Sequence, residues 1–243
     1  MPDDAPETPF RRSGDPVTLA VVVPTLNAEA AIGRALQALA APTPGIDLDV
    51  LVVDGGSTDA TLDEAQRYGA RILSAEGGRG PQLAAGAEAA LGDWLLFLHA
   101  DTTLPPNWPE IVRDFAARPD AARKAGYFRF VLDDPASPAA RRLERAVAWR
   151  CRRLGLPYGD QGLLISRARY LEAGGFPAVP LMEDVALVRR IGRSDLVELP
   201  GAAITSAARY RRDGYLRRSL RNLCCLALYL LGVPPAAIVR LYG

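Results

Sequence analysis

The chain has 243 residues, 49% of them apolar, which is enough to bury one substantial core and suits one large domain better than two small ones. Its 29 basic and 28 acidic residues nearly cancel, and no aromatic-basic RNA-binding signature interrupts it, so no nucleic-acid partner is expected. Three cysteines, Cys151 and the adjacent Cys224 and Cys225, form neither a disulfide framework nor a C-x-x-C metal pattern; they read as small buried apolar residues in a reducing compartment.

Residues 1–16 are rich in proline and charge and lack the apolar centre of a signal peptide, so they read as a disordered leader of a cytoplasmic chain. From Leu19 the pattern becomes regular. The run "LAVVVP" has the branched-apolar character of a strand buried on both faces, and "NAEAAIGRALQALA" follows with helical spacing at Ala31, Ala35, Leu36 and Leu39. The unit repeats as "DLDVLVVD" and "STDATLDEAQRYG", where Ser57 or Thr58 is placed to cap, Asp59 to favour the helix dipole and Gly69 to close. A third unit runs through "ARILSA" and "PQLAAGAEAALG", with Pro81 at a helix start and Gly92 at its stop, to "DWLLFLHAD". Alternation of this kind predicts an α/β fold, a mostly parallel sheet flanked by helices, whose ligand crevice lies beyond the carboxyl ends of the strands.

The residues at those ends are "PTLN" at 24–27, "DGGSTD" at 54–59, "AEGGRG" at 75–80 and "HAD" at 99–101, all polar or glycine-rich. No G-x-G-x-x-G follows the first strand, which weakens a hydride-transfer reading, and "GGRG" lacks the Gly-Lys-Ser/Thr ending of a phosphate loop. Further on, "GYFRFVLDD" alternates like a strand, "LPYGDQGLLISRARYLEAGGFP" gives a turn, a short strand and a helix, and "PLMED" precedes an amphipathic helix, "VALVRRIGR".

The ordered set "VVVPTLNAEAAI", "VLVVDGGSTDAT", "RGPQLAAGAEAALGDWLLFLHADT" and "PLMED" resembles the inverting family 2 glycosyltransferases, whose nucleotide-diphosphosugar fold is called GT-A, over roughly residues 17–215. Residues 17–243 then form a single GT-A domain with a C-terminal apolar helix at about 215–233. The resemblance implies an enzyme that moves one hexose-type sugar from a nucleoside diphosphate sugar, UDP-linked, to a small or lipid acceptor with inversion. It places Pro24, Thr25, Asn27, Asp54, Arg79, Gln82, His99 and Asp101 at the nucleotide sugar, with "HAD" standing where the family has Asp-x-Asp. Asp101 would hold Mg²⁺ or Mn²⁺ through its carboxylate and the diphosphate. His99 occupies the first-acid position, and Gly55 stands where many relatives carry a second acid. Asp184 is implied as general base, with Glu183 orienting or binding acceptor and Asp160 and Gln161 touching it.

A narrower likeness, in "RGPQ", "GDQG", "GGFP" and "SAARYRRDG", is to bacterial transferases named for arsenosugar biosynthesis or association with radical-SAM/selenodomain proteins. The Q-x-x-R-W motif of processive synthases is absent, which points to a single transfer, and "ARYRR" at 208–212 offers basic residues for diphosphate or acceptor, although a solvated basic turn is the more frequent reading of such a run. Two competitors are a non-catalytic nucleotide-sugar-binding module on the same sheet and a nucleotidyltransferase, the latter lacking its basic glycine-rich loop after the first strand. In the tail, Arg217, Arg218 and Arg221 precede an apolar stretch from Leu223 to Val233, about 11 residues against the ~20 needed to span a bilayer. Packing on the domain or a homodimer contact is expected of it ahead of peripheral contact with the inner membrane.

Overall fold

The computed structural model describes residues 16–242, so the leader expected over residues 1–16 lies, apart from Pro16, outside the described residues. Strands β1 (Val17–Thr25), β2 (Ile46–Asp54), β3 (Arg71–Ser74) and β4 (Trp94–Phe97) pair in parallel in the order β3-β2-β1-β4. Beyond β4 the sheet changes direction. β7 (Leu163–Ser166) runs antiparallel to β4 and to β6 (Ala125–Leu132), β8 (Leu196–Thr205) is parallel to β6, and the two-residue β5 (Thr102–Thr103) closes the edge against β8. The result is the expected mostly parallel α/β sheet, completed on one side by elements whose direction the first half does not announce.

The helices are α1 (Glu29–Leu39), α2 (Thr61–Arg67), α3 (Arg79–Ala89), α4 (Trp108–Ala116), α5 (Pro138–Leu154), α6 (Arg167–Glu172), α7 (Glu183–Ile191), α8 (Ala208–Asp213), α9 (Tyr215–Leu230) and α10 (Pro235–Tyr242). Alternate residues of each central strand face opposite layers. Val22, Val53, Leu95 and Phe97 join α3 and α7, while Val21, Val23, Val52 and Leu96 join α1 and α4. Burial on both faces is why β1 and the end of β2 read as continuous apolar runs. Arg167 ties the antiparallel half to the parallel one: its guanidinium donates to the carbonyls of Ala87, Ala90 and Gly92 at 2.7, 2.7 and 2.8 Å, satisfying the open end of α3.

Two local expectations change. Ser57 and Thr58 do not cap α2, whose N-cap is Ala60; Asp59, one residue earlier, accepts through Oδ1 from Thr61 N at 3.1 Å and through Oδ2 from Glu29 N at 3.2 Å, so one carboxylate serves the starts of α2 and α1. The apolar helix expected at about 215–233 is α9, and after Gly232 at φ 88° and Pro234 a further short helix, α10, follows it. Cys151 and Cys225 are buried as expected, but Cys224 is exposed.

Candidate active site

The carboxyl ends of β1 and β2 are locked together by a polar network. Asp54 is buried; its Oδ2 accepts from Gly56 N at 2.9 Å and Ser57 N at 2.8 Å, and its Oδ1 accepts from Ser57 Oγ at 2.5 Å and Thr25 Oγ1 at 3.2 Å. Burial pushes its pKa up, but the hydrogen bonds from Ser57, Gly56 and Thr25 outweigh burial and hold it below the ordinary carboxylate value. Asn27 is in the left-handed region at φ 48° and accepts from Thr58 N at 2.9 Å. Gln82 is buried beneath this ledge, its Nε2 donating to the carbonyls of Thr25 at 2.7 Å and Val53 at 2.8 Å. The amide therefore holds two strand ends at their final turn. Gly55 sits in a tight place for an acid: a Cβ there would lie 3.0 Å from Gln82 Nε2 and 3.3 Å from the Thr25 carbonyl, so Gln82 would have to shift.

The "GGRG" run acquires a reason from packing. Gly77 and Gly78 have φ near +97°, a Cβ on Gly78 would come within 2.9 Å of Pro180 Cα, and one on Gly80 would strike the carbonyls of Pro177 and Val179. Glycine there lets the start of α3 lie directly against the 177–180 loop. Arg79 thereby meets Glu183 in the first turn of α7, Nε to Oε1 at 3.1 Å. Glu183, expected to orient or bind acceptor, is 0% exposed and faces Arg79 instead of the cleft. Burial raises its pKa against the pull of Arg79, and adjacent Asp184 raises it further.

Arg79 Nη1 also lies 3.4 Å from His99 Nε2. Burial, then Arg79 and Arg209, push the His99 pKa well below its ordinary value, so the neutral imidazole accepts from the guanidinium. Gly159 backs onto the same nitrogen so closely that a Cβ would collide with it. That nitrogen is thus covered by protein rather than offered to a cation. Asp101, two residues on, does face the cleft, with its backbone carbonyl accepting from Ser206 N at 3.0 Å.

On the other wall, Met182 at φ 64° turns the chain into α7 and presents Asp184 at the helix start. Its Oδ2 accepts from Gly159 N at 2.9 Å and its Oδ1 from Val185 N at 2.7 Å, fixing the carboxylate while leaving lone pairs toward the cleft. Asp160 follows Gly159, and its Oδ1 is buried without a hydrogen-bond partner. Its pKa is pushed up to about 6 by burial and by Asp184 and Asp101, against Arg150 and Arg79. Gln161, expected at the acceptor, is 1% exposed and turned inward: Nε2 donates to the Phe128 carbonyl at 3.0 Å and Oε1 accepts from Tyr158 N at 3.2 Å. It orders the loop that carries Asp160.

Pro24, Thr25, Asn27, Arg79, Gln82, His99 and Asp101 border the outer part of one continuous cleft, and Arg79, His99 and Asp101 extend into an inner part with Asp160 and Asp184. Asp54 lies behind this lining. Sequence reasoning missed the roof: Arg209 and Tyr210 from α8, Arg218 and Asn222 from α9, and Tyr242 from α10. "ARYRR" carried a weak signal for the first two, and nothing local marks Tyr242. Among the described residues no three His, Cys, Asp or Glu side chains converge as a self-sufficient metal site. Asp101, with the unpartnered Asp160 carboxylate adding to the local negative field, suits a hard cation completed by a ligand's own phosphate oxygens.

The family model "Glycosyl transferase family 2" matches residues 20–167, more than half of the chain. The chain belongs to glycosyl transferase family 2. The chain is 38% identical over 91 residues to a PGL/p-HBAD biosynthesis glycosyltransferase of Mycobacterium bovis (strain BCG / Pasteur 1173P2), 35% of each chain. It is 33% identical over 97 residues to glucosyl-3-phosphoglycerate synthase of Mycobacterium tuberculosis (strain CDC 1551 / Oshkosh), 36% of this chain and 30% of that one. These matches span about a third of the curated relatives' length. Among solved structures it resembles S. aureus TarS 1–349 in complex with UDP, with TM-score 0.58, 16% identity, and 93% and 69% of the two chains covered. It also resembles the Mycobacterium tuberculosis glucosyl-3-phosphoglycerate synthase in complex with Mn²⁺, UDP and glucosyl-3-phosphoglycerate, with TM-score 0.56, 20% identity, and 90% and 81% covered. At those identities the likeness is one of fold, and the fold of this family 2 member is GT-A.

Proposed function

We propose that this glycosyltransferase moves one sugar from a nucleoside diphosphate sugar, UDP-linked, to the hydroxyl of a small or lipid acceptor with inversion at the anomeric carbon. The observation that carries the reading is the placement of Asp184, held by two backbone N–H groups at the start of α7 and facing Asp101 and Arg79 in one cleft. In this reading Asp184 takes the acceptor proton as that oxygen attacks from the face opposite the diphosphate. Pro24, Thr25 and Asn27 form the ledge for the nucleoside, with Asp54 and Gln82 keeping it in shape from below. Arg79, aligned by Glu183 and His99, meets the negative diphosphate. Asp160 binds an acceptor hydroxyl. Asp101 would hold Mg²⁺ or Mn²⁺, which supplies charge neutralisation at the departing diphosphate. The UDP and Mn²⁺ named with the structural neighbours support the donor and the metal, and the narrower arsenosugar-type resemblance supports a small acceptor.

The test is Asp184→Asn assayed beside the parent. Calorimetry should find UDP binding unchanged, while transfer from a UDP-sugar should fall by about 10²–10⁴-fold. Undiminished transfer would remove Asp184 as base. UDP binding with no transfer by the parent, across a broad acceptor screen, would favour a binding module.

A further inference from the structure

The C-terminal helices have two faces of opposite chemistry. Inward, Arg218, Asn222 and Tyr242 line the cleft, while Cys225, Leu226 and Ile238 join the core, so the expected packing on the domain is met by one side of α9. Outward, α9 presents Leu216, Leu220, Leu223, Ala227 and Leu230, alternately four and three residues apart, which sets them along one stripe of a helix. Leu216 is 74% exposed, Leu223 62%, and Leu231 at the end of the stripe 81%. Single exposed leucines are ordinary on a protein surface; a continuous row is not.

The charge around this stripe has one sign. α9 and α10 contain no acidic residue. α5, which packs against α9, has Glu144 alone, and that carboxylate accepts from Leu132 N at 2.9 Å. Asp213, just ahead of α9, pairs with Arg212, Arg218 and Arg221. Residues 138–154 and 208–242 together hold 13 arginines against those two acids, in a chain whose total charge is +1. On α5 the exposed Arg145, Arg152 and Arg153 surround Trp149, which is 57% exposed, whereas Trp94 and Trp108 are buried.

We propose that the outer stripe of α9, with the basic fringe of α5 and α9, docks on the surface of an anionic lipid bilayer. The leucines enter the headgroup–acyl boundary, the arginines reach lipid phosphates, and Trp149 sits at the interface, where an indole is favoured. No helix of the described residues is long and apolar enough to cross a membrane, so the contact is peripheral. The same charges argue against a second copy of the chain as the occupant, since a two-fold contact through this face would set arginines against arginines. The proposal does not depend on the reaction assigned to the cleft.

The full chain is mixed with vesicles of phosphatidylcholine, or of phosphatidylcholine with phosphatidylglycerol, then sedimented, and tryptophan emission is recorded. The expected result is sedimentation with anionic vesicles only, weakened by salt, with a blue shift of emission that disappears in Trp149→Phe. Leu220→Gln/Leu223→Gln should weaken vesicle binding by about tenfold or more, with circular dichroism and UDP binding unchanged. Failure of the parent to sediment with anionic vesicles at low salt overturns the proposal. So does equal sedimentation of parent and double variant, which would leave charge alone as the cause. A dimer that the double variant abolishes, found together with no vesicle binding, would assign the face to self-association.

Discussion

Arg79 and Glu183, 104 positions apart in sequence, meet at 3.1 Å between the first turns of α3 and α7, with the carboxylate completely buried. Removing the arginine leaves that carboxylate without its countercharge. Arg79→Ala should destabilise the protein by about 3–5 kcal/mol near pH 8. The penalty should shrink as pH falls, because Glu183, already raised by burial, loses Arg79's opposing pull and takes up a proton more readily in the folded state. Urea unfolding at two pH values reads both effects. A penalty independent of pH would mean that the pair is not electrostatic in origin. Donor binding should weaken in the same variant, since the guanidinium lines the cleft.

Asp101→Ala should abolish metal-dependent binding of UDP. Calorimetric titration of the parent with UDP and Mn²⁺, repeated after chelation, supplies the reference. Full activity of chelated parent enzyme would sink the metal assignment. His99→Asp, which supplies a carboxylate at the family's first-acid position, should strengthen the metal dependence while setting a second negative group beside Arg79, the neighbour of His99 at 3.4 Å.

Gln82→Ala should cost about 1–3 kcal/mol by removing the two hydrogen bonds to the carbonyls of Thr25 and Val53 and opening a void beneath the strand ends. Gly55→Asp should do comparable damage through crowding of the same amide, about 1–3 kcal/mol, despite matching the acid of many relatives. A Gly55→Asp protein as stable as the parent would show that the ledge yields.

Asp160 sets a pH signature. Its folded pKa, about 6, lies above the 3.8 of an ordinary aspartate, so its contribution to stability is present in full below about pH 4 and is lost as pH rises through 6. Asp160→Asn, which imitates the protonated form, should raise Tm by about 2–4 °C near pH 8 and leave it unchanged near pH 4, measured without divalent cation. An equal shift at both pH values would place the effect in packing.

Much of the parallel half was legible because its signals are local. Branched-apolar runs stop at polar ends in β1, β2 and β4, and "GGRG", "HAD" and "PLMED" each declare a strand end or a helix start. What a run cannot declare is the direction in which a side chain points. Gln161 and Glu183 both lie in candidate motifs, and both turn inward, one to the Phe128 carbonyl and the other to Arg79.

The sequence by itself determined the alternation of strands and helices, and with it the crevice edge where Asp101 belongs, since periodicity and termini act over a few residues, whereas Asp184 was placed there by family resemblance alone. Tertiary structure alone decided the antiparallel insertion of β7, the burial of Glu183 and the roof made by Arg209, Arg218 and Tyr242. Each of these depends on which distant surfaces meet, and those meetings are set by packing between segments far apart in the chain rather than by any local pattern.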